Sequence, residues 1–458
     1  MEPLTLAEIS KAVSGEVINN RKLKVDKISI DSRTIEEASL FIAIEGDNFD
    51  GHNFLEAAIS KGAIAAIVSQ NQKLDLDIPL VKVYDTTKAL QDLACYYRSK
   101  FDIPVVAVTG STGKTTTKDM IASVLQTKYK TLKTEGNFNN EIGLPLTLFR
   151  LDNSYEAVVV EMGMRGLGQI SELAEIALPN LGVITNVGLT HIELLGTVDN
   201  IAQAKSELII ALNKDGIAIL NGDDNRVRKM EELTQSKVIK YGLDKDNDVK
   251  AGKIKKSDDS ISFELIIEEK GYKDIINLAV PGEYNVYNSL AAITVAISLD
   301  IPLADIKTGL SNLNLSKMRN QIIVSESGYK IINDTYNANP TSMKAALNTL
   351  KDIAKENKIA VLGDMLELGD LAIEEHIKLG ELVAEMNIEY LFSFGKLARK
   401  VAKGAKQNGM DKSRIFIYED KDKLIRKLLE IVSNGDTILV KGSRGMKLEE
   451  VSQVLSDN

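Results

Sequence analysis

The chain of 458 residues carries one cysteine, no tryptophan, three histidines and eight prolines, and it has no excess of positive charge. A single cysteine, Cys95, excludes an intramolecular disulfide and any cysteine-based zinc or iron–sulfur cluster. It falls in the apolar-spaced run Leu90–Tyr97, which predicts a buried helix position. Lysine plus arginine number 56 against 65 acidic residues, a net charge of −9. That balance argues against a general nucleic-acid binder, which needs a basic surface, and still allows a local pocket for a small anion. Residues Met1–Gly15 lack a basic segment followed by an apolar core, so the expectation is a cytoplasmic protein without a signal peptide. The most apolar stretch, Ser289–Leu299, is about half of the ~20 residues a membrane span needs, and no span is expected.

What the chain does have is ordinary soluble-protein usage, 44% hydrophobic and 26% charged, which argues against long disorder. At ~150 residues per domain the length predicts about three domains. Boundaries are expected near 98 and 313, giving residues 1–98, 99–312 and 313–458. The first is predicted to be a small α/β domain with strands near Ile28, Leu40–Ile44 and Ala65–Val68. From residue 101 a unit recurs: an apolar run, a Gly-rich or polar turn, then a helical pattern. The runs are Val105–Val108, Ala157–Val160, Val183–Thr185, Ile217–Leu220, Ile359–Leu362, Tyr390–Phe394, Ile415–Tyr418 and Thr437–Val440. Several are continuously apolar, which suits parallel strands covered on both faces, and the alternation reads as doubly wound α/β sheets. In such sheets ligands sit at the carboxyl ends of strands. Two stretches break the pattern. Val238–Tyr241, Ser262–Ile267 and Asp274–Val280 predict an appended antiparallel ribbon, and the polar run Ser311–Asn320 predicts a link between domains.

The strongest motif is Thr109-Gly-Ser-Thr-Gly-Lys-Thr-Thr-Thr117, entered from a buried strand and opening a helix. Gly110 and Gly113 let backbone N–H groups curl around phosphate oxygens, and the helix N-terminus adds partial positive charge. Lys114 would reach the β- and γ-phosphates, and the Thr115 hydroxyl would ligate Mg²⁺. The usual pattern has a glycine where this chain has Val108, so it fails there by one residue. Glu161 ends the strand beside this loop, where a carboxylate is well placed for Mg²⁺. His191 closes the segment Thr185–His191 beyond another strand of the same sheet; His376, on a helix, is expected to be a packing residue. Lys205 lies on a helix shortly after His191. Thr134–Gly143 is rich in amides, which both donate and accept, and Asn333–Pro340 is a dense polar loop after an apolar strand.

Taken together these segments resemble the Mur ligases of peptidoglycan synthesis, ATP-dependent amide-forming enzymes. Within that family, Lys133–Pro145, Asp334–Pro340, Val361–Gly369 and Lys441–Met446 favour the dipeptide-adding branch, as do Asp31-Ser-Arg33 and Asp50–Phe54. The likeness covers nearly the whole chain in order. It departs at Thr112, where the family loop usually has Asn, and at Glu135, where Gln is common. The resemblance implies a small α/β UDP-binding domain, a central P-loop-type parallel-sheet domain for ATP, and a C-terminal Rossmann-like α/β domain that closes over the nucleotide. It implies that Ser32, Arg33, Asp50, Gly51 and His52 contact the UDP-sugar. Gly110, Ser111, Thr112, Gly113, Lys114, Thr115 and Thr116 would hold the triphosphate, Asn285 and Asn288 would lie by the adenine, and Arg319 and Asp334 would reach the nucleotide. Thr115, Glu161, His191 and a carbamylated Lys205 would organise two Mg²⁺ ions, with Lys114, Lys205 and His191 as the catalytic set. Asn137, Asn139, Asn140, Tyr336, Asn337 and Asn339 would line the substrate cleft.

The implied partners are UDP-N-acetylmuramoyl-tripeptide and D-alanyl-D-alanine, joined by a monomer without nucleic acid. The implied route activates a carboxylate as an acyl phosphate, which an amine then attacks. Such phosphoryl transfer needs charge neutralisation and alignment more than a protein nucleophile. Two readings compete: a sister ligase that adds a single amino acid, and a nucleotide switch without ligase activity.

Overall fold

The computed structural model describes residues 1–46, 49–72 and 75–458. Among the described residues three large sheets follow one another along the chain, beside two small two-stranded ones. The first has five strands in the order Glu16–Ile18, Leu80–Val83, Ala63–Ser69, Ser39–Ile42 and Lys27–Ser29, parallel except for the first pair. Helix Thr86–Arg98, capped by the Asp85 carboxylate on the N–H groups of Thr87 and Lys88, leads out of this unit.

The second sheet has nine strands. Its parallel part runs in the order Thr131–Lys133, Ala157–Glu161, Val105–Thr109, Leu181–Ile184, Ile217–Asn221, Lys237–Gly242 and Val249–Lys256. Val105–Thr109 and Ala157–Glu161 are buried at every position, as strands covered on both faces must be. Parallel pairing puts the ends of Val105–Thr109, Ala157–Glu161 and Leu181–Ile184 side by side, with Val108 opposite both Glu161 and Val183. The loops that follow therefore converge on one edge.

The expected ribbon is corrected in one respect. Lys237–Gly242 pairs parallel with Ile217–Asn221, and the strand beside it is Val249–Lys256, also parallel. Only Ile261–Ile267 and Tyr272–Leu278 continue antiparallel. Val249–Lys256 is rich in lysine and only its alternate early positions are buried, which hides it from a search for apolar runs.

The third sheet has six strands in the order Gln321–Val324, Lys330–Asp334, Thr437–Lys441, Lys358–Gly363, Tyr390–Phe394 and Ile415–Tyr418, antiparallel only in the first pair. The link into it is anchored: the backbone N–H and hydroxyl of Ser316 donate to Asp119 Oδ2 at 2.9 and 2.7 Å. Asp119 lies on the helix Lys114–Leu125 that leaves the phosphate loop, so loop and link share a fixed point.

Cys95 is half-buried rather than buried, its thiol 3.3 Å from the Glu175 carbonyl it donates to. No helix among the described residues is long and apolar enough to cross a membrane.

Candidate active site

A cavity of about 970 Å³ opens where the strand tips of the central sheet face the third sheet. Its floor is the turn Gly110–Gly113. Gly110 has φ +149° and runs so close to its neighbour that a Cβ there would sit 1.9 Å from Thr185 Oγ1. Gly113, at φ +81°, leads into the helix without a side-chain cap, which leaves the first N–H groups of Lys114–Leu125 for a ligand. The turn is held from behind. Asn186 Oδ1 accepts from the backbone N–H and the hydroxyl of Thr112 at 2.9 and 3.0 Å, and the Thr185 hydroxyl donates to the Thr112 carbonyl at 2.6 Å. Thr112, the departure from the usual asparagine, thus spends its hydroxyl on bracing the turn.

Lys114 folds back over this turn and donates to the Gly110 carbonyl at 2.7 Å. Burial pushes its ammonium below the ordinary lysine value, with Glu161 opposing the shift and Arg319 adding to it. The Thr115 hydroxyl donates to Glu161 Oε2 at 2.7 Å, and Asn139 Nδ2 donates to Oε1 at 2.8 Å. Glu161 is 2% exposed. Two hard oxygen donors thus meet at the mouth of the phosphate turn, which is the donor chemistry a magnesium ion takes.

Lys205 is 2% exposed and lines the same cavity. Burial, reinforced by Lys114, holds its pKa well below the ordinary lysine value. His191 also lines the cavity, with Nδ1 2.6 Å from Glu367 Oε2 of the third sheet's unit. Burial pushes its imidazole pKa down; Glu367 opposes this, while Lys114 and Lys205 add to it. A neutral imidazole and a neutral amine are the forms that can bind a metal or take up carbon dioxide. Among the described residues no group of three or more His, Cys, Asp or Glu gathers as a metal site, so any ion here leans on the Thr115–Glu161 pair, His191 and the ligand's own oxygens.

The opposite wall comes from the third sheet. Arg319 lies over the Tyr336 ring, 3.9 Å from its centroid. Asp334 accepts from Lys441 Nζ at 2.5 Å and from Asn320 N at 3.2 Å, and Lys441 also donates to the Asn337 carbonyl at 2.9 Å. Asn339 caps helix Pro340–Ile353 by accepting from Ser342 N, with proline at the first helical position.

Comparison with known proteins follows the same lines. The family descriptions Mur ligase family, catalytic domain; Mur ligase middle domain; and Mur ligase, glutamate ligase domain match residues 24–98, 108–296 and 318–444. The UDP-N-acetylmuramoyl-tripeptide–D-alanyl-D-alanine ligase of Bacillus subtilis is 39% identical over 99% of this chain and 98% of its own. The belonging is plain at that level. This chain is a member of the Mur ligase family. The same-named ligase of Escherichia coli is 34% identical, covering 100% of this chain and 99% of its own. The crystal structure of MurF from Acinetobacter baumannii superposes with a TM-score of 0.92 at 31% identity, covering 100% and 99% of the two chains. MurF ligase from Thermotoga maritima in complex with ADP gives 0.84 at 29% identity, covering 94% and 97%.

Within this Mur ligase, the cavity gathers Gly110 to Thr116, Asn137, Asn139, Asn140, Glu161, His191, Lys205, Asn288, Arg319, Asp334, Tyr336, Asn337 and Asn339. Asn285 is not among them: its carboxamide donates to the Pro281 carbonyl at 2.7 Å and accepts from Asn288 at 3.2 Å, behind the wall. Ser32, Arg33, Asp50, Gly51 and His52 all belong to the first sheet's unit, and none of them lines the cavity. There Arg33 grips Asp31, which holds that carboxyl down at about 2. The His52 ring is committed internally, Nδ1 lying 2.6 Å from Asp50 Oδ1 and Nε2 accepting from Ser69 N at 2.9 Å. Asn186 and Lys441, which the sequence marked only as parts of longer segments, and Asp223 and Tyr287, which it did not mark, also line the cavity. Asp223 accepts from the Tyr287 hydroxyl at 2.9 Å and from Leu243 N at 2.6 Å. Asn221-Gly-Asp-Asp224 follows the apolar strand Ile217–Asn221, so the strand-tip rule applied once more would have found it.

Proposed function

We propose that this chain joins D-alanyl-D-alanine to UDP-N-acetylmuramoyl-tripeptide with cleavage of ATP to ADP and phosphate, in peptidoglycan synthesis. The observation that carries the reading is the cavity itself. A phosphate turn with Lys114, the Thr115–Glu161 pair and the unneutralised amine of Lys205 face one another inside it. The whole-length likeness to ligases of that name supports the choice of substrates.

The chemistry runs in two steps. A terminal carboxylate oxygen of the tripeptide attacks the γ-phosphorus of ATP; the bond to ADP breaks and an acyl phosphate remains. The amine of the dipeptide then attacks the acyl carbon, the carbon–oxygen bond to phosphate breaks, and the amine loses a proton. Lys114 and the uncapped helix N-terminus hold the phosphoryl oxygens and neutralise charge that develops on them. Thr115, Glu161, His191 and Lys205 as its carbamate would hold Mg²⁺, in two ions. Bound there, the metal polarises the phosphoryl oxygens. A carbamate forms when neutral lysine nitrogen bonds to carbon dioxide and releases a proton, so the depressed pKa of Lys205 favours it. Arg319, Asp334 and Tyr336 bring the third domain onto the nucleotide, and closure keeps water from the acyl phosphate.

In this reading residues 1–98 bind the UDP-sugar, residues 99–312 bind ATP, and residues 313–458 close the site and receive the dipeptide. Ser32, Arg33, Asp50, Gly51 and His52 serve the first role. Asn137, Asn139, Asn140, Asn337 and Asn339 line the cleft for the peptide ends. The likeness to ligases of that name supports reading the chain as a cytoplasmic monomer.

Phosphate release from ATP with Mg²⁺ and the UDP-tripeptide, with and without D-alanyl-D-alanine, tests this. Release that needs both substrates, with an amide product by mass, is the expected result. A single amino acid replacing the dipeptide makes the chain a sister ligase; release indifferent to either substrate removes the ligase reading.

A further inference from the structure

The segment Val361–Gly369 has no part in the chemistry derived so far, although it helps to carry the family resemblance. Its backbone is gripped inside its own domain. Ser443 N donates to the Asp364 carbonyl at 3.0 Å, Ala398 N to Asp364 Oδ1 at 2.6 Å, and Leu366 N to Ser443 Oγ at 2.9 Å. Met365 N donates to His376 Nε2 at 3.0 Å. His376 is fully buried, and its Nδ1 lies 2.6 Å from the Ala372 carbonyl. Those two contacts require the neutral tautomer with the proton on Nδ1. The loop is therefore a stiff prong, not a free strap.

The prong crosses to the central domain. Its tip, Glu367, has φ +62° and places Oε2 2.6 Å from Nδ1 of His191, itself at φ +56°. Glu193 N faces the Glu367 carbonyl at 3.4 Å. Gly369, at φ +51°, passes so near that a Cβ there would lie 3.3 Å from Glu193 Cα. Left-handed backbone at residues that bear a Cβ persists only where the surroundings over-determine it, and here both members of the contact have it.

We propose that Glu367 is a positioning residue that couples closure of the C-terminal domain to the ATP site. Carried in on the third domain, its carboxylate stands at ion-pair distance from Nδ1 of His191, a buried atom with no hydrogen-bond partner among the described residues, so that a small turn of the ring completes the Nδ1–H to carboxylate bond and leaves Nε2 to the cavity. A carboxylate on one imidazole nitrogen fixes the tautomer and ring orientation and makes the other nitrogen a better donor to a metal. With the third domain swung away, His191 has no such partner. Competence of the nucleotide–magnesium site thus follows the closure that also brings Arg319 and Asp334. This inference rests on reading the cavity as the ATP site.

The test compares wild type with Glu367→Ala, Glu367→Gln, His191→Ala and the Glu367→Ala/His191→Ala double variant. Glu367 is 43% exposed, so its replacement leaves the fold intact, and melting curves check this. Calorimetric titration with ADP, in the presence and absence of MgCl₂, gives the enhancement of ADP affinity by magnesium. Glu367→Ala is expected to lose about tenfold of that enhancement, with ADP affinity in the absence of magnesium unchanged. Glu367→Gln, whose amide oxygen can take the same place and accept from Nδ1–H, recovers most of it. In the His191→Ala background Glu367→Ala adds nothing, because it acts through that ring. In turnover, Glu367→Ala raises the KM for ATP and lowers kcat, with the KM for UDP-tripeptide unmoved. Full magnesium enhancement in Glu367→Ala overturns the proposal, as does an equal loss in the His191→Ala background. Should the wild type join no dipeptide, the ligase reading fails while the ADP titrations still decide the role of Glu367.

Discussion

The amine of Lys205 is buried in the phosphate cavity beside Lys114, and repulsion between the two adds to burial in holding the Lys205 pKa well below the ordinary lysine value. A lysine placed so is poor as a cation and good as an amine. Its folded pKa is depressed, so its burial as a cation weakens the fold most below that pKa, and the penalty fades only as pH rises towards the ordinary lysine value. Replacement by an apolar side chain of similar length, Lys205→Met, is expected to raise the melting temperature and to abolish phosphate release. Thermal unfolding and turnover, measured on the same preparation, check the two signs together. Carbon-labelled bicarbonate followed by NMR should give a carbamate signal in wild type and none in the variant.

The Thr115–Glu161 contact separates hydroxyl chemistry from packing. Thr115→Ser keeps the oxygen and is expected to stay within a few-fold of wild type. Thr115→Val keeps the shape and removes the donor, leaving the buried Glu161 with Asn139 as its remaining side-chain partner. Turnover should fall by about 10²-fold in the valine variant, with melting temperature much less affected. Steady-state kinetics with ATP as the varied substrate is the measurement; equal activity in serine and valine variants would remove Thr115 from the phosphate chemistry.

Gly110 is a position where the phosphate turn tolerates no side chain. With φ +149° and the Thr185 hydroxyl 1.9 Å from where a Cβ would stand, Gly110→Ala must displace the brace formed with Thr185 and Asn186. Nucleotide binding, read by calorimetry, is expected to vanish while the first and third sheets keep their structure. Gly136→Ala, where nothing lies within 4 Å of a Cβ, is the comparison, with only the strain of φ +54° to bear.

Asp119 governs the link between the second and third domains. Burial raises its carboxyl pKa, but Lys118, Lys133 and the hydrogen bonds from Lys133 and Ser316 outweigh it and hold the group below the ordinary aspartate value. A depressed carboxyl pKa contributes stability above the unfolded value of about 4 that is lost as pH falls through the folded value. Asp119→Ala leaves the buried Lys118 ammonium with the Thr134 carbonyl as its one remaining partner among the described residues and is expected to cost about 3–5 kcal/mol. Ser316→Ala removes one hydrogen bond, about 1 kcal/mol, and should broaden the range of domain arrangements seen by small-angle scattering. Acid unfolding of wild type against Asp119→Asn isolates the charge: the variant should lose the part of the acid transition that Asp119 causes.

The alternation of apolar runs and helical patterns was enough to place the parallel strands, because residues buried on both faces of a sheet must be continuously apolar, and Tyr390–Phe394, Ile415–Tyr418 and helix Gln169–Ala177 have the ends expected of them. The same logic marks the turns after strands, where Gly110–Thr116, Glu161 and His191 lie. Val249–Lys256, lysine-rich and with one face to water, carries no such run and escapes this search, as does the short edge strand Gln321–Val324 after the polar link. Tertiary structure alone decided which distant groups meet: Asn186 behind Thr112, Ser316 on Asp119, Tyr287 on Asp223, Lys441 on Asp334 and Glu367 on His191. It also decided that the His52 ring is spent on Asp50 and Ser69, and that Lys205 is short of a counter-charge. Periodicity is a property of one segment against an averaged interior. A hydrogen bond or a pKa is a property of two atoms a few ångströms apart, and their separation is known only once every strand has taken its neighbour.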